Sequence, residues 1–160
     1  MLAICGSASG AAEAAQARPR LPARLILRDG QQGFVGESGT IVTIERDGHF
    51  RVARFVNHRI EAPHQEGILR AESIRKLART FARVGAADLP GVMSRSAAAN
   101  AHRLQLSVGK RMSTLTLFPG ETAQQAAAAL ARSGPNPAIR FLDLWITAQS
   151  VVAREHGKKR

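Results

Sequence analysis

The pair Asp47-Gly48 constrains this chain more than any other two residues. It separates two β-rich runs, Thr40-Ile41-Val42-Thr43-Ile44-Glu45 and His49-Phe50-Arg51-Val52-Ala53-Arg54-Phe55-Val56. Asp-Gly signals a two-residue hairpin, because both central positions of a type I′ turn need positive φ. The flanking β-branched and aromatic residues favour a pleated, half-buried surface. Residues 40–56 are therefore expected to form a β-hairpin.

A second hairpin follows from alternation alone. Leu104, Leu106 and Val108 alternate with Arg103, Gln105 and Ser107. Gly109-Lys110-Arg111 turns the chain, and Leu115 and Leu117 then alternate with Thr114 and Thr116. Helical periodicity follows each hairpin. Residues 71–84 space Ile74, Leu77, Ala78, Phe81 and Val84 by three or four, and Gly85 stops that helix. Residues 121–132 read as an Ala-rich helix or helical loop with little to bury, broken by Ser133-Gly134-Pro135. Pro137 suits the first position of a final helix, which runs to about Arg154 and carries Phe141, Leu144, Trp145, Ala148 and Val152. Leu25-Ile26-Leu27 reads as a short strand. Residues 29–39, with Gly30, Gly33, Gly36 and Gly39, read as a loop. Residues 57–69 hold a short strand and a loop broken by Pro63 and Gly67, and residues 93–101 read as a loop. The expected fold is α+β: an antiparallel four- to five-stranded sheet from two hairpins, with two main helices packed on one face. The other face would carry Thr, Ser, Arg and Gln.

A chain of 160 residues fits one domain with a modest core. The domain is expected over residues 25–154, with a basic tail at 155–160 that includes Lys158-Lys159-Arg160. Residues 1–24 read as a leader outside the fold. Ala15-Gln16-Ala17 fits a signal cleavage site, but a positive start is missing and the apolar core is short. The leader is either the remnant of a signal peptide or a disordered segment. Export to the periplasm or medium is the expectation, with a cytoplasmic location left open. No apolar stretch approaches the roughly 18 residues of a membrane span. The single cysteine, Cys5, excludes an internal disulfide and a cysteine zinc site.

The formal charge is +11, and 19 of the 23 basic residues are Arg. A basic surface favours acidic partners and speeds their encounter. It does not specify nucleic acid, and the stacking aromatics and zinc ligands that accompany nucleic-acid recognition are missing. One cationic set is concentrated: Arg75, Lys76, Arg79 and Arg83 share the solvent side of the 71–84 helix, and only Glu72 offers one of them an i,i+4 partner.

Catalytic signatures are absent. The chain has no HExxH, no GxSxG, no P-loop and no GxGxxG between a strand and a helix. His58, Glu61, His64 and Glu66 lie in one segment and are metal-ligating residue types. Pro63 breaks their spacing, so solvated loop residues explain them better, and no cofactor or metal is expected. His49 and His102 read as surface positions. A non-enzymatic protein is the expectation.

The order of elements resembles the emfourin-type inhibitors of thermolysin-like metalloproteases. The matching pieces are Gly33-Phe34-Val35-Gly36, the helix running into Ala87-Asp88-Leu89-Pro90, the second hairpin, and Phe141-Leu142-Asp143-Leu144-Trp145-Ile146. They span about residues 25–150. Gln32-Gly33 stands where the family has a doubled glycine, residues 46–69 form an extra arm, and residues 119–136 are an insertion. The resemblance implies an α+β domain that binds another protein, a metalloprotease, through the Gly-rich loop 29–39. Gly33, Phe34, Val35, Gly36 and Glu37 would touch the partner, with Phe34 entering an apolar pocket and Glu37 or Asp29 meeting the metal or a basic rim. The competing arrangement folds Phe34 back over the sheet end. The alternative function is a basic module that binds nucleic acid or another polyanion through Arg75, Lys76, Arg79 and Arg83.

Overall fold

The computed structural model of the protein describes residues 18–34 and 36–156. In chain order, β1 (Leu25–Gly33), β2 (Gly36–Ile44), β3 (His49–Val56), β4 (Arg59–Ile60) and β5 (Gln65–Ile68) precede α1 (Ala71–Val84). Next come β6 (Val92–Ser94), β7 (His102–Val108), β8 (Arg111–Leu117), α2 (Ala123–Leu130) and α3 (Pro137–His156). The strands form one sheet in the order β4-β3-β2-β1-β7-β8-β6, and β5 also pairs with β3. Every pairing is antiparallel except that of β6 with β8. The protein is thus a mixed α+β fold, with eight strands and three helices among the described residues.

Alternation sets the core. The register aligns Leu25 with Ile44, Phe50 and Val108, and Leu27 with Val42, Val52 and Leu106. Successive side chains of a strand face opposite ways, so both rows point to one face. There Ile74, Leu77 and Phe81 of α1 join Phe141, Trp145, Ala148 and Val152 of α3 in one cluster. Phe141 and Trp145 stack with ring centroids 5.8 Å apart. Burying each such side chain contributes about 1.5–3 kcal/mol, so these rows dominate the energetics. The α1 bounds match the periodicity, and its buried positions include Ile74, Leu77, Phe81 and Val84. α2 opens on a capping box in which the Thr122 hydroxyl accepts from Gln125 N and the Gln125 side chain accepts from Thr122 N. The opposite face carries Arg51, Arg103, Gln105, Ser107, Thr114 and Thr116.

Several expectations shift. Four or five strands become eight because β4, β5 and β6 have 2, 4 and 3 residues, too short to show a period of two. Residues 29–39 are not a loop: β1 continues to Gly33 and β2 begins at Gly36. α2 is a third helix against α3. The Asp47-Gly48 turn is longer than two residues. Gly48 N donates to Glu45 O, Glu45 N donates to His49 O, and only Gly48 has positive φ, at 91°. That is a type I turn closed by a left-handed glycine, the usual three-residue hairpin.

The expected boundary at residue 24 also moves. Leu21 is buried in the core. Its backbone N donates to Arg46 O, and its carbonyl accepts from Arg46 Nε. Arg18 donates to Leu69 O. At the other end, Glu155 pairs with Arg70 at 3.3 Å and accepts from Ser73 Oγ, so residue 155 belongs to the helix layer. The leader features at residues 1–17 and the Lys158-Lys159-Arg160 run lie outside the described residues. Among the described residues no helix is long and apolar enough to cross a membrane.

Candidate functional site: the β1–β2 hairpin tip

The register carries β1 and β2 beyond the part of the sheet that the helices cover. On the helix side, the row of Leu25 and the row of Leu27 are followed by Asp29, Thr40 and Arg54, then by Gln31, Ser38 and Val56. Those side chains are polar or exposed, with Val56 47 % exposed. The hairpin end therefore projects as an arm that no helix supports.

Its support lies on the outer face. Phe55 pairs with Gly39, which pairs with Gly30. The Phe55 ring fills the space above Gly30 and is only 1 % exposed. A Cβ at Gly30 would stand 2.9 Å from Phe55 Cζ and 2.7 Å from Glu37 Oε1, and one at Gly39 would stand 1.8 Å from the Asp29 carbonyl. An aromatic ring laid over strand glycines restores the packing that they lack. The Arg28 guanidinium covers the ring from outside at 3.8 Å, a cation–π contact of about 2 kcal/mol where water is excluded. Arg28 Nη2 also donates to Glu37 Oε2 at 3.2 Å and to the Asn57 carbonyl at 2.6 Å.

Asn57 completes the lock. Its φ is 54°, a left-handed conformation that Asn tolerates. Glu37 N donates to Asn57 Oδ1 at 3.0 Å, and Asn57 N donates to Glu37 O at 2.6 Å. Gly36 has φ 112°, and a Cβ there would stand 2.0 Å from Asn57 Oδ1, so only glycine fits. The β3–β4 turn thereby clamps the base of the hairpin tip.

Above this brace stand Gly33 and Phe34. Phe34 is fully exposed, which settles the choice between a projecting ring and one folded over the sheet end. Val35 lies outside the described residues. Glu37 is turned inward to Arg28, its side chain 15 % exposed. Asp29 is likewise engaged, by His102 at 2.6 Å. Neither carboxylate is at the tip.

His102 corrects the reading of that residue as a surface position, because its side chain is only 15 % exposed. Nε2 faces Asp29 Oδ1 and Nδ1 faces the Glu121 carbonyl, both at 2.6 Å. Carbonyl and carboxylate oxygens accept, so the protonated ring, with both nitrogens donating, satisfies both contacts. The Asp29 hydrogen bond, foremost, raises its pKa above the ordinary 6.5, against the opposing effect of burial. Glu121 also pairs with Arg95 at 2.9 Å. Together these contacts clip the start of the α2 segment to β1 and β6.

The other candidate residues are scattered. Arg75 and Arg79 are exposed and Lys76 is half-buried, and none of the three has an ion-pair partner among the described residues. Arg83 does, pairing with Asp143 at 2.8 Å. His58 lies in the β3–β4 turn, and Glu61 and His64 lie between β4 and β5. Glu66 in β5 pairs with Arg51 at 3.3 Å. Among the described residues, no three His, Cys, Asp or Glu side chains are placed to hold a metal ion. Arg28, Phe55 and Asn57 are the members that sequence reasoning missed. The available signal was Phe55 beside Val56, which places apolar residues on both faces of the strand end.

No protein-family model matches the chain, and no curated protein matches it.

The His102 clip gives a signed pH dependence. A group whose folded pKa is raised stabilises fully below its unfolded value and loses that contribution as pH rises through the folded value. The stability difference between the wild type and His102→Gln should be larger at about pH 5.5 than at about pH 9, on either side of the ordinary histidine range. Urea unfolding followed by the fluorescence of Trp145, the only tryptophan, measures it. An equal difference at both pH values contradicts the imidazolium assignment.

Proposed function

We propose that the protein is a non-enzymatic binding domain that inhibits a thermolysin-like metalloprotease by occupying its substrate pocket with the hairpin tip. The observation that carries this reading is the combination of a fully exposed Phe34 with a locked base. Buried aromatic anchors dominate interface energetics, and a pre-ordered loop loses little freedom on binding. Gly33 and Gly36 allow the backbone to approach a partner closely. Val35 completes the proposed contact, and Glu37 serves it from behind by holding Arg28 and Asn57. The resemblance to emfourin-type inhibitors supplies the protease as target.

The test is inhibition of purified thermolysin-like metalloproteases by the wild type and by Phe34→Ala. The substitution should weaken inhibition by about 30-fold or more, the equivalent of roughly 2 kcal/mol for an anchor residue. Unchanged inhibition removes the tip from the interface.

A second reading rests on Arg75, Lys76 and Arg79, three cations of α1 without ion-pair partners among the described residues. It makes the α1 face a docking strip for nucleic acid or another polyanion. Retention of a single-stranded oligonucleotide should then fall steeply with salt and vanish in Arg75→Glu/Arg79→Glu. A flat salt response removes this reading.

A further inference from the structure

The charges around the hairpin tip indicate what sort of pocket it fits. Both carboxylates that could have faced a partner are used internally, Asp29 by His102 and Glu37 by Arg28. Two cations at the same end are not. Arg54 and Arg59 are exposed, and neither guanidinium has a hydrogen bond or ion pair among the described residues. Arg54 shares the helix-side face of the arm with Val56, and Arg59 lies opposite Val56 in the β3–β4 pairing. At about 3.4 Å per residue and about 4.8 Å per strand, the backbones of Arg59 and Gly36 lie roughly 12 Å apart. The tip and the two arginines can therefore meet one partner surface. At Arg54 opens a depression of about 400 Å³ lined also by Ser38, Thr40, Val56 and Glu61. Its two hydroxyls can donate to an acidic side chain beside Arg54. Glu61, exposed and without an ion-pair partner among the described residues, is the acidic group on this rim; set against Arg54 and Arg59 together it leaves an excess of one positive charge.

We infer that the partner is a protein whose apolar pocket is rimmed by carboxylates: Phe34 enters the pocket while Arg54 and Arg59 pair with the acidic rim. This rests on the hairpin-tip reading and reverses its expected electrostatics, because Glu37 and Asp29 had suggested a basic rim or a metal. Unpaired rim charges act mainly on the association rate, which they raise and make salt-dependent.

Stopped-flow onset of inhibition, measured on a panel of purified thermolysin-like metalloproteases with pocket rims of differing acidity, tests this. The wild type should associate fastest with the most acidic rims and slow as salt rises. Arg54→Glu/Arg59→Glu should associate about 10- to 100-fold more slowly at low salt, with little change in dissociation and an unchanged thermal midpoint. Inhibition that depends on Phe34 but ignores both salt and the charge reversal overturns the acidic rim and leaves the tip reading standing. If the reversal spares protease association but abolishes retention of a single-stranded oligonucleotide, the arginines recognise polyphosphate and the inference fails. If the wild type inhibits no panel member, the tip reading falls and takes the acidic rim with it.

Discussion

The Arg28 guanidinium lies over the Phe55 ring and at the same time holds Glu37 and the Asn57 carbonyl. The geometry of the candidate site depends on this contact. Beyond Gln32 and Glu37 the hairpin is only two strands wide, and such a ribbon is marginal in water without a packed face. Phe55 supplies the packed face on the side away from the helices, and Arg28 closes it from solvent. The arrangement has a cost. Arg28 Nε and Glu37 Oε1 are buried and have no hydrogen-bond partner among the described residues. Buried ion pairs are weak evidence for stability and better evidence for a specified geometry. Here the specified geometry is the direction in which Phe34 projects.

The two faces of the sheet thus divide the work. The helix-covered face holds the core, with the rows of Leu25 and Leu27 against α1 and α3. The open face mixes polar side chains with Ile26, Ile41 and Met112, and Phe55 and Ala53 are its buried apolar residues on β3. A second clip, at His102, joins β1 to the α2 segment at the level where the core ends. Asp29 and Arg28 are adjacent in sequence and point to opposite faces. One β1 dipeptide therefore anchors both the clip and the brace.

Much of the core was legible in the sequence, and the site much less so. The periodicity of residues 71–84 gave α1 its bounds, because Ile74, Leu77, Phe81 and Val84 repeat at helical spacing and Gly85 follows. The second hairpin was legible from its period of two, Leu104, Leu106 and Val108 alternating with polar residues. Residues 29–39 were not, because glycine argues against a strand unless something fills the space it leaves. The filler at Gly30, Phe55, is 25 residues away in the chain. His102 showed no signal, since its partner Asp29 is distant in sequence and meets it only through the β1–β7 register. Phe34 was legible as a residue, but its exposure depends on a hairpin that the glycines concealed.

Amide hydrogen exchange across residues 28–39 and 54–57, in the wild type and in Arg28→Met, tests most directly whether this brace orders the tip. Methionine keeps much of the apolar stem but removes the guanidinium. The account predicts that exchange accelerates in the two segments while α1, α3, β7 and β8 keep their protection. Unchanged exchange at Glu37 and Asn57, or loss of protection throughout the sheet, would contradict it.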